Sequence, residues 1–410
     1  MSDSDDFVTI EALFFTGRKM PRTRLVNAGV LLYGTFKTAD VVLGDDGKII
    51  SVTTDPGPTR LDESRVDLRG KLLIPGLMDI HMHGLEDKTA IHHDLSEIAR
   101  IEPKYAVTAM FPGLAFKAGK PLLEVVERKR LEADRLGPGA RCPGFFMEGP
   151  FVKHPGGMLP EYVIPVDMGY ARELLITGGG KIKIMMVSPE LEGVVELIEY
   201  LVSEGVVVAL GHTDATVEQT IRAIDAGARL TTHTYNVVPK MPDVTEPGCW
   251  PVCTYDVMVS DPRMTCELIS DGIHVHPIKA KVTILAKTPR RIAIVTDSNV
   301  GAGLPPGRYE FPGWSPIVIR PGDAARDANH GWLCGSAITM IEGVRRAVRL
   351  FGCTPAEGCT MASSSIADLL GLGYQMGKIA AGYNADLVVL DQDLNVNATY
   401  VAGKVVYNTK

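Results

Sequence analysis

The stretch LIPGLMDIHMHG, Leu73 to Gly84, ends an apolar run with two histidines spaced two apart. A β-strand sends residues i and i+2 to one face, so His81 and His83 would present two imidazoles side by side. That is how two ligands reach one metal ion. An H-x-H triplet alone is weak evidence, because two histidines can share a strand face without a ligand. The rest of the chain places more groups of this kind at the polar ends of apolar runs: Glu148 in FFMEGPF, His212 in LGHTDAT, His233 in TTHTYN and Asp297 in IVTDSN. Imidazole and carboxylate suit Zn²⁺ or Fe²⁺, and a site with an open position lowers the pKa of water to about 7. Asp297 then reads as the general base, taking a proton from attacking water and returning it to a leaving amine. His274, in SDGIHVHP, reads as a donor to a carbonyl oxygen that gains charge. The remaining histidines have plainer readings. His92 and His93 would face opposite ways in an extended segment, His276 reads as structural and His330 as a surface-loop residue.

Groups scattered over more than two hundred residues need a scaffold that brings them together. Eight apolar runs end in polar or glycine-rich loops: LLIPGLMDIHMHG, VTAMFPGL, RCPGFFMEGPF, KIKIMMVSPE, VVVALGHTD, LTTHTYNVV, TCELISDGIHV and RIAIVTDSNV. Near-continuous apolar strands imply burial on both faces, as in a parallel sheet. Helical periodicity fills several of the intervals. PELEGVVELIEYLVSEG predicts a helix capped by Ser188, with Pro189 at its first position and Gly205 at its end, and ATVEQTIRAIDAGA predicts another closing near Gly227. The α/β pattern predicts a (β/α)₈ TIM-like barrel over 73–373. A doubly wound open sheet is the alternative, but every candidate residue lies at or just beyond a strand's carboxyl end, where a barrel builds its site. The two chain ends, 1–72 and 374–410, are short β-rich runs with turn signals. They are expected to pair into one small β-domain, with a hairpin around Asp46-Gly47 in ADVVLGDDGKIISVTTD.

The 410 residues are 45% hydrophobic with a net charge of −7, which predicts a large core and disfavours nucleic acid or an anionic membrane as partner. No apolar run approaches the ~20 residues that span a bilayer. The first residues, MSDSDD, are acidic, and the seven cysteines are scattered, so reduced thiols and a cytoplasmic location are expected.

The order of H-x-H on strand 1, Glu after strand 3, His after strands 5 and 6 and Asp after strand 8 resembles the amidohydrolase superfamily. EGPF, LGHTDAT, THTYN, DGIHVHP, TDSNVGAGLPPGRYEF, GSAITM and GYNADLVVLD are similar to the N-acetylglucosamine-6-phosphate deacetylase family, from about Leu73 to Asp391. The resemblance implies hydrolysis of an acetamido group to an amine and acetate. It makes Glu148, His212 and His233 the main metal ligands, Asp297 the acid/base beside the metal, and His274 the residue that orients the carbonyl. It puts Asn236, with the adjoining Val237, at the substrate's phosphate end. The intact strand 1 pair implies that His81 and His83 hold a second divalent metal with Glu148 as bridge, so one or two Zn or Fe ions per chain, and the family implies a homodimer. Two loops depart from the family. VKHPGGMLPEY replaces the segment whose histidine helps bind the sugar, leaving His154 as a substitute. VVPKMPDVTEPG carries Thr245 where the family has a phosphate-binding arginine, leaving Lys240 as the nearest cation by sequence. Reaction type is therefore better supported than substrate. The alternatives are a non-phosphorylated N-acetyl sugar, another N-acyl compound, a deamination, or a metal-free scaffold, against which the intact ligand set weighs.

Overall fold

A computed structural model describes residues 22–55, 63–237, 246–310 and 315–409. Eight parallel strands run in chain order around a barrel: β1 (Leu77–Met82), β2 (Val107–Leu114), β3 (Phe145–Met147), β4 (Ile182–Val187), β5 (Val207–Leu210), β6 (Leu230–Thr231), β7 (Thr265–Ile269) and β8 (Ile292–Val295). Every residue of β1 and β2 is buried, as strands covered on both faces require. Inside, Met78, Phe111, Phe146, Ile184, Met186, Ile269 and Val295 fill the barrel. Phe111 is fully buried, and truncating such a ring to alanine costs about 3–5 kcal/mol. The open doubly wound sheet is excluded by the closure: Met82 and Ser298 form a parallel bridge, the Asp297 amide donates to the His81 carbonyl at 2.7 Å, and the His83 amide donates to the Ser298 carbonyl at 2.8 Å. The last strand thus meets the first at the candidate ligands themselves.

The run LLIPGLMDIHMHG, which reads as one strand in sequence, is two. Leu72–Pro75 joins a second sheet and β1 begins after Gly76, where a Cβ would collide with the Thr108 hydroxyl at 1.9 Å. That second sheet contains strands from both ends of the chain. Its order is Lys404–Asn408, Val396–Val401, Leu387–Leu390, Leu72–Pro75, Arg22–Leu32, Thr35–Leu43 and Ile49–Thr53, with Glu63–Asp67 pairing against Arg22–Leu32. The strands around Asp46-Gly47 pair antiparallel. Leu25, Val30, Val41, Leu73, Leu387 and Val389 pack in its own core. Arg141, just before β3, clamps it to the barrel through a two-pronged ion pair with Asp386 at 2.9 and 3.1 Å.

The helix expected from Ser188 starts later, spanning Val194–Ser203 with Gly193 as cap. Ser188 is buried at the end of β4 instead, where its hydroxyl lies 3.0 and 2.9 Å from the Gly211 and His212 carbonyls and accepts from the Lys153 amide. A cap needs its side-chain oxygen aimed at the first-turn amides, and that of Ser188 is engaged in joining β4, β5 and the loop after β3. The helix Val217–Ala226 does end at Gly227, behind a capping box of Thr216 and Gln219. Among the described residues no helix is long and apolar enough to cross a membrane.

Candidate metal centre

Two groups of three side chains gather at the carboxyl ends of the strands: His81, His83 and Asp297, and Glu148, His212 and His233. The barrel's topology accounts for it, since each lies at or directly after β1, β8, β3, β5 or β6. His212, His233 and Asp297 have φ values of 51°, 25° and 43°, a left-handed conformation that side-chain-bearing residues seldom adopt and that turns each away from its strand into the mouth. The register of β1 against β2 shifts between Asp79 and Met82, a local irregularity beside His81.

Glu148 lies between the groups. Its Oε1 is 3.6 Å from His81 Nε2, 3.5 Å from His212 Nε2 and 3.5 Å from His233 Nε2, while its Oε2 is 3.1 Å from His83 Nε2. Asp297 Oδ1 is 3.6 Å from His81 Nε2 and 3.4 Å from His83 Nε2. The tautomers decide what this arrangement fits. His212 Nδ1 lies 2.6 Å from the His154 carbonyl, which can only accept, so Nδ1 carries the hydrogen. Burial pushes the His212 pKa down, which favours the neutral ring, and a bare Nε2 then faces His233 Nε2 at 3.1 Å. His81 Nδ1 likewise donates to Glu267 Oε2 at 3.0 Å, leaving its Nε2 toward His83 Nε2 at 3.3 Å. Nitrogen lone pairs turned toward one another and toward carboxylates suit a divalent cation, as does this N/O donor set.

Electrostatics agrees. Burial opposes charge on His81, but Asp297 and Glu267 outweigh it and hold the imidazole well above its ordinary range. Burial likewise opposes charge on His83, and the Glu148 charge with an Asp297 contact raises it to about 9. Burial pushes Glu148 up, yet the His83 charge, with the His212, His233 and His81 rings around it, holds it well below the usual carboxylate range. These raised values mark a concentration of negative charge, and a divalent cation would displace the protons from His81 and His83, free their Nε2 lone pairs and offset that charge more fully.

His274 is nearly buried. Its Nδ1 donates to Asp271 Oδ2 at 2.6 Å, and although burial opposes protonation, Asp271 raises its pKa. Asn236 donates its amide to the His274 carbonyl at 2.9 Å, tying the loops after β6 and β7 together. Val237 follows with φ 52° and, with His212, crowds Gly156. The His154 side chain is 2.5 Å from Asp214, and its backbone carbonyl is the group that orients His212. Lys240 and Thr245 lie outside the described residues. His276 caps the helix Pro277–Lys287, His93 accepts from the Thr89 amide, and His330 stacks on Trp332 away from the ligands.

Sequence reasoning passes over three carboxylates that matter here. Glu267 holds His81, Asp271 holds His274, and Asp79, pushed up to about 7 by burial, accepts the Thr296 hydroxyl at 2.6 Å beneath the closure. A lone acid inside an apolar run was the available signal for Asp79 and Glu267.

A closed parallel barrel with imidazoles and carboxylates gathered at one mouth is the architecture of a metal-dependent hydrolase. Residues 185–406 match the Amidohydrolase family. The chain is 30% identical over 375 residues to the N-acetylglucosamine-6-phosphate deacetylase of Bacillus subtilis (strain 168), spanning 89% of this chain and 92% of that one. It is also 30% identical over 367 residues to the N-acetylgalactosamine-6-phosphate deacetylase of Escherichia coli O157:H7, spanning 88% and 92%. The solved N-acetyl-D-glucosamine-6-phosphate deacetylase from Mycobacterium smegmatis superposes with a TM-score of 0.82 at 28% identity, covering 94% of this chain and 100% of that one. The chain belongs to the amidohydrolase superfamily and, within it, to the N-acetylglucosamine-6-phosphate deacetylase family.

Proposed function

We propose that this protein hydrolyses the acetamido group of an N-acetylated amino sugar, N-acetylglucosamine-6-phosphate above all, giving the free amine and acetate. The observation that carries the reading is Glu148 set between two pairs of imidazoles, with Asp297 beside one pair, in a chain whose relatives at 30% identity are amino-sugar-phosphate deacetylases. In this reading Glu148, His212 and His233 hold one divalent cation, zinc or iron. His81 and His83, with Glu148 and Asp297 beside them, would hold a second. A divalent cation there supplies Lewis acidity, making water acidic near neutral pH and polarising a carbonyl oxygen.

The residues divide the remaining work. Burial opposes ionisation of Asp297, but without a cation the charges of His81 and His83 lower its pKa, and a divalent cation would supply the same positive charge, so the carboxylate can accept a proton from attacking water. It then delivers that proton to the amide nitrogen as the C–N bond breaks. His274, its Nδ1 donating to Asp271, whose charge favours the doubly protonated ring, offers Nε2–H to the carbonyl oxygen as charge builds there. Asn236, Val237 and His154 serve the sugar-phosphate side, and Lys240, assigned from the sequence alone, would act as a point charge where a paired donor would discriminate more sharply. The enzyme works in the cytoplasm as a homodimer. Support for self-association is the exposed apolar stripe Ile278, Val282 and Leu285 along one helix.

The equal identity to an N-acetylgalactosamine-6-phosphate enzyme favours a second reading in which the sugar epimer differs. Acetate release from both N-acetylhexosamine 6-phosphates and from their neutral counterparts tests both readings. Turnover of a phosphorylated sugar supports the proposal and ranks the epimers. Turnover confined to an unrelated N-acyl compound refutes it.

A further inference from the structure

Strand β6 contributes only Leu230 and Thr231 to the barrel ladder and ends before the ligand it carries. Beyond it, residues 233–234 are fastened to β7 by one residue. The Glu267 backbone carbonyl accepts from the Thr234 amide at 3.0 Å, and its Oε2 accepts from the His233 amide at 2.8 Å. The same Oε2 accepts from His81 Nδ1 at 3.0 Å. Glu267 has no solvent exposure, and its Oε1 has no hydrogen-bond partner among the described residues. A buried carboxylate with an unpartnered oxygen is costly, and an apolar residue is what the run TCELI would otherwise place there. We infer that Glu267 is a positioning residue that couples the two metal-ligand groups, one buried oxygen aiming the side chain of His81 and fixing the backbone of His233.

The two tethers act differently. The Nδ1–H bond sets the His81 tautomer and ring, so Nε2 faces Glu148 and Asp297 at 3.6 Å each. The bond from the His233 amide holds a residue at φ 25°, where the backbone would otherwise relax. His212 is held by a main-chain carbonyl, a tether that no side-chain substitution deletes. Glu267 therefore has no equivalent elsewhere among the described residues of the site: its loss disturbs one ligand of each group at once.

The inference rests on the metal-binding reading above, and the experiment separates the two. Metal-free parent, Glu267→Gln and Glu267→Met are titrated with Co²⁺, following the visible bands, with folding checked by near-ultraviolet circular dichroism. Glutamine keeps an acceptor oxygen in place; methionine keeps only volume. The parent should show two binding phases, Glu267→Met should weaken both by ~10–100-fold with an altered band shape, and Glu267→Gln should fall between. If Glu267→Met does not fold, weakening of both phases in Glu267→Gln by ~3-fold or more carries the inference. Parental affinities and bands in the folded variants overturn it, as does weakening of one phase alone. A parent that binds no Co²⁺ overturns the metal reading and the inference with it.

Discussion

The two ligand groups are built at different kinds of place. His81, His83 and Asp297 straddle the seam where β1 meets the chain beyond β8, and the main-chain bonds that close the barrel run between the same residues. Glu148, His212 and His233 stand on three separate strands, and His212 takes its orientation from the loop after β3 through the His154 carbonyl. Each group also has a histidine packed against a glycine. A Cβ on Gly113, inside β2, would lie 2.5 Å from His83 Cε1, and one on Gly156, in the loop, would lie 2.6 Å from His212 Cε1. The seam group is therefore held by the barrel's own main-chain bonds, whereas the second group leans on a loop outside the strand ladder.

The largest expected effect is at the seam. Asp297→Asn should preserve metal content and fold but lower turnover by at least ~10²-fold, as loss of a general acid/base does. Steady-state rates with elemental analysis check it, and near-parental turnover removes the assigned role. His81→Ala combined with His83→Ala should reduce bound metal from about two to about one per chain when the protein is prepared metal-replete. A parent that binds one metal under those conditions would make the pair a hydrogen-bonding device. The glycine cradles test rigidity directly: Gly113→Ala should weaken metal binding by ~10-fold or more, and Gly156→Ala by less, because only the loop can give. The reverse order would break the comparison. The smallest effect is expected for His154→Ala, since the carbonyl that orients His212 survives and a partly exposed side-chain contact to Asp214 is worth ~0–1 kcal/mol. Metal affinity should change by about twofold at most, and a larger loss would show that the imidazole itself holds the loop.

Much of this architecture is legible in the sequence because burial and chemistry are written at different places along each strand. The apolar runs mark β1 to β8, and the polar residue ending each run marks the mouth, so the six groups that meet in space could be nominated separately. The rest depends on partners distant in the chain. Leu73 to Gly84 reads as one strand because nothing local shows that Gly76 must pass Thr108. Ser188 has the residue type and spacing of a cap, but Lys153, Gly211 and His212 recruit it. Glu267 and Asp79 look like interruptions of apolar strands until the barrel closes and brings His81 and Thr296 against them. The excursion between β8 and the helix Met340–Phe351, three short antiparallel strands at Gly307–Tyr309, Ile317–Ile319 and Ala325–Asp327, leaves no strong periodicity to read.

The central claim is that these imidazoles and carboxylates hold a metal ion that the deacetylation needs. Acetate release from N-acetylglucosamine-6-phosphate, followed with one preparation as isolated, after chelation and after readdition of Zn²⁺ or Fe²⁺, tests it most directly. The account predicts release matched by free amine, loss of activity on chelation and recovery on readdition; an undiminished rate in metal-free protein, or no acetate at any stage, would contradict it.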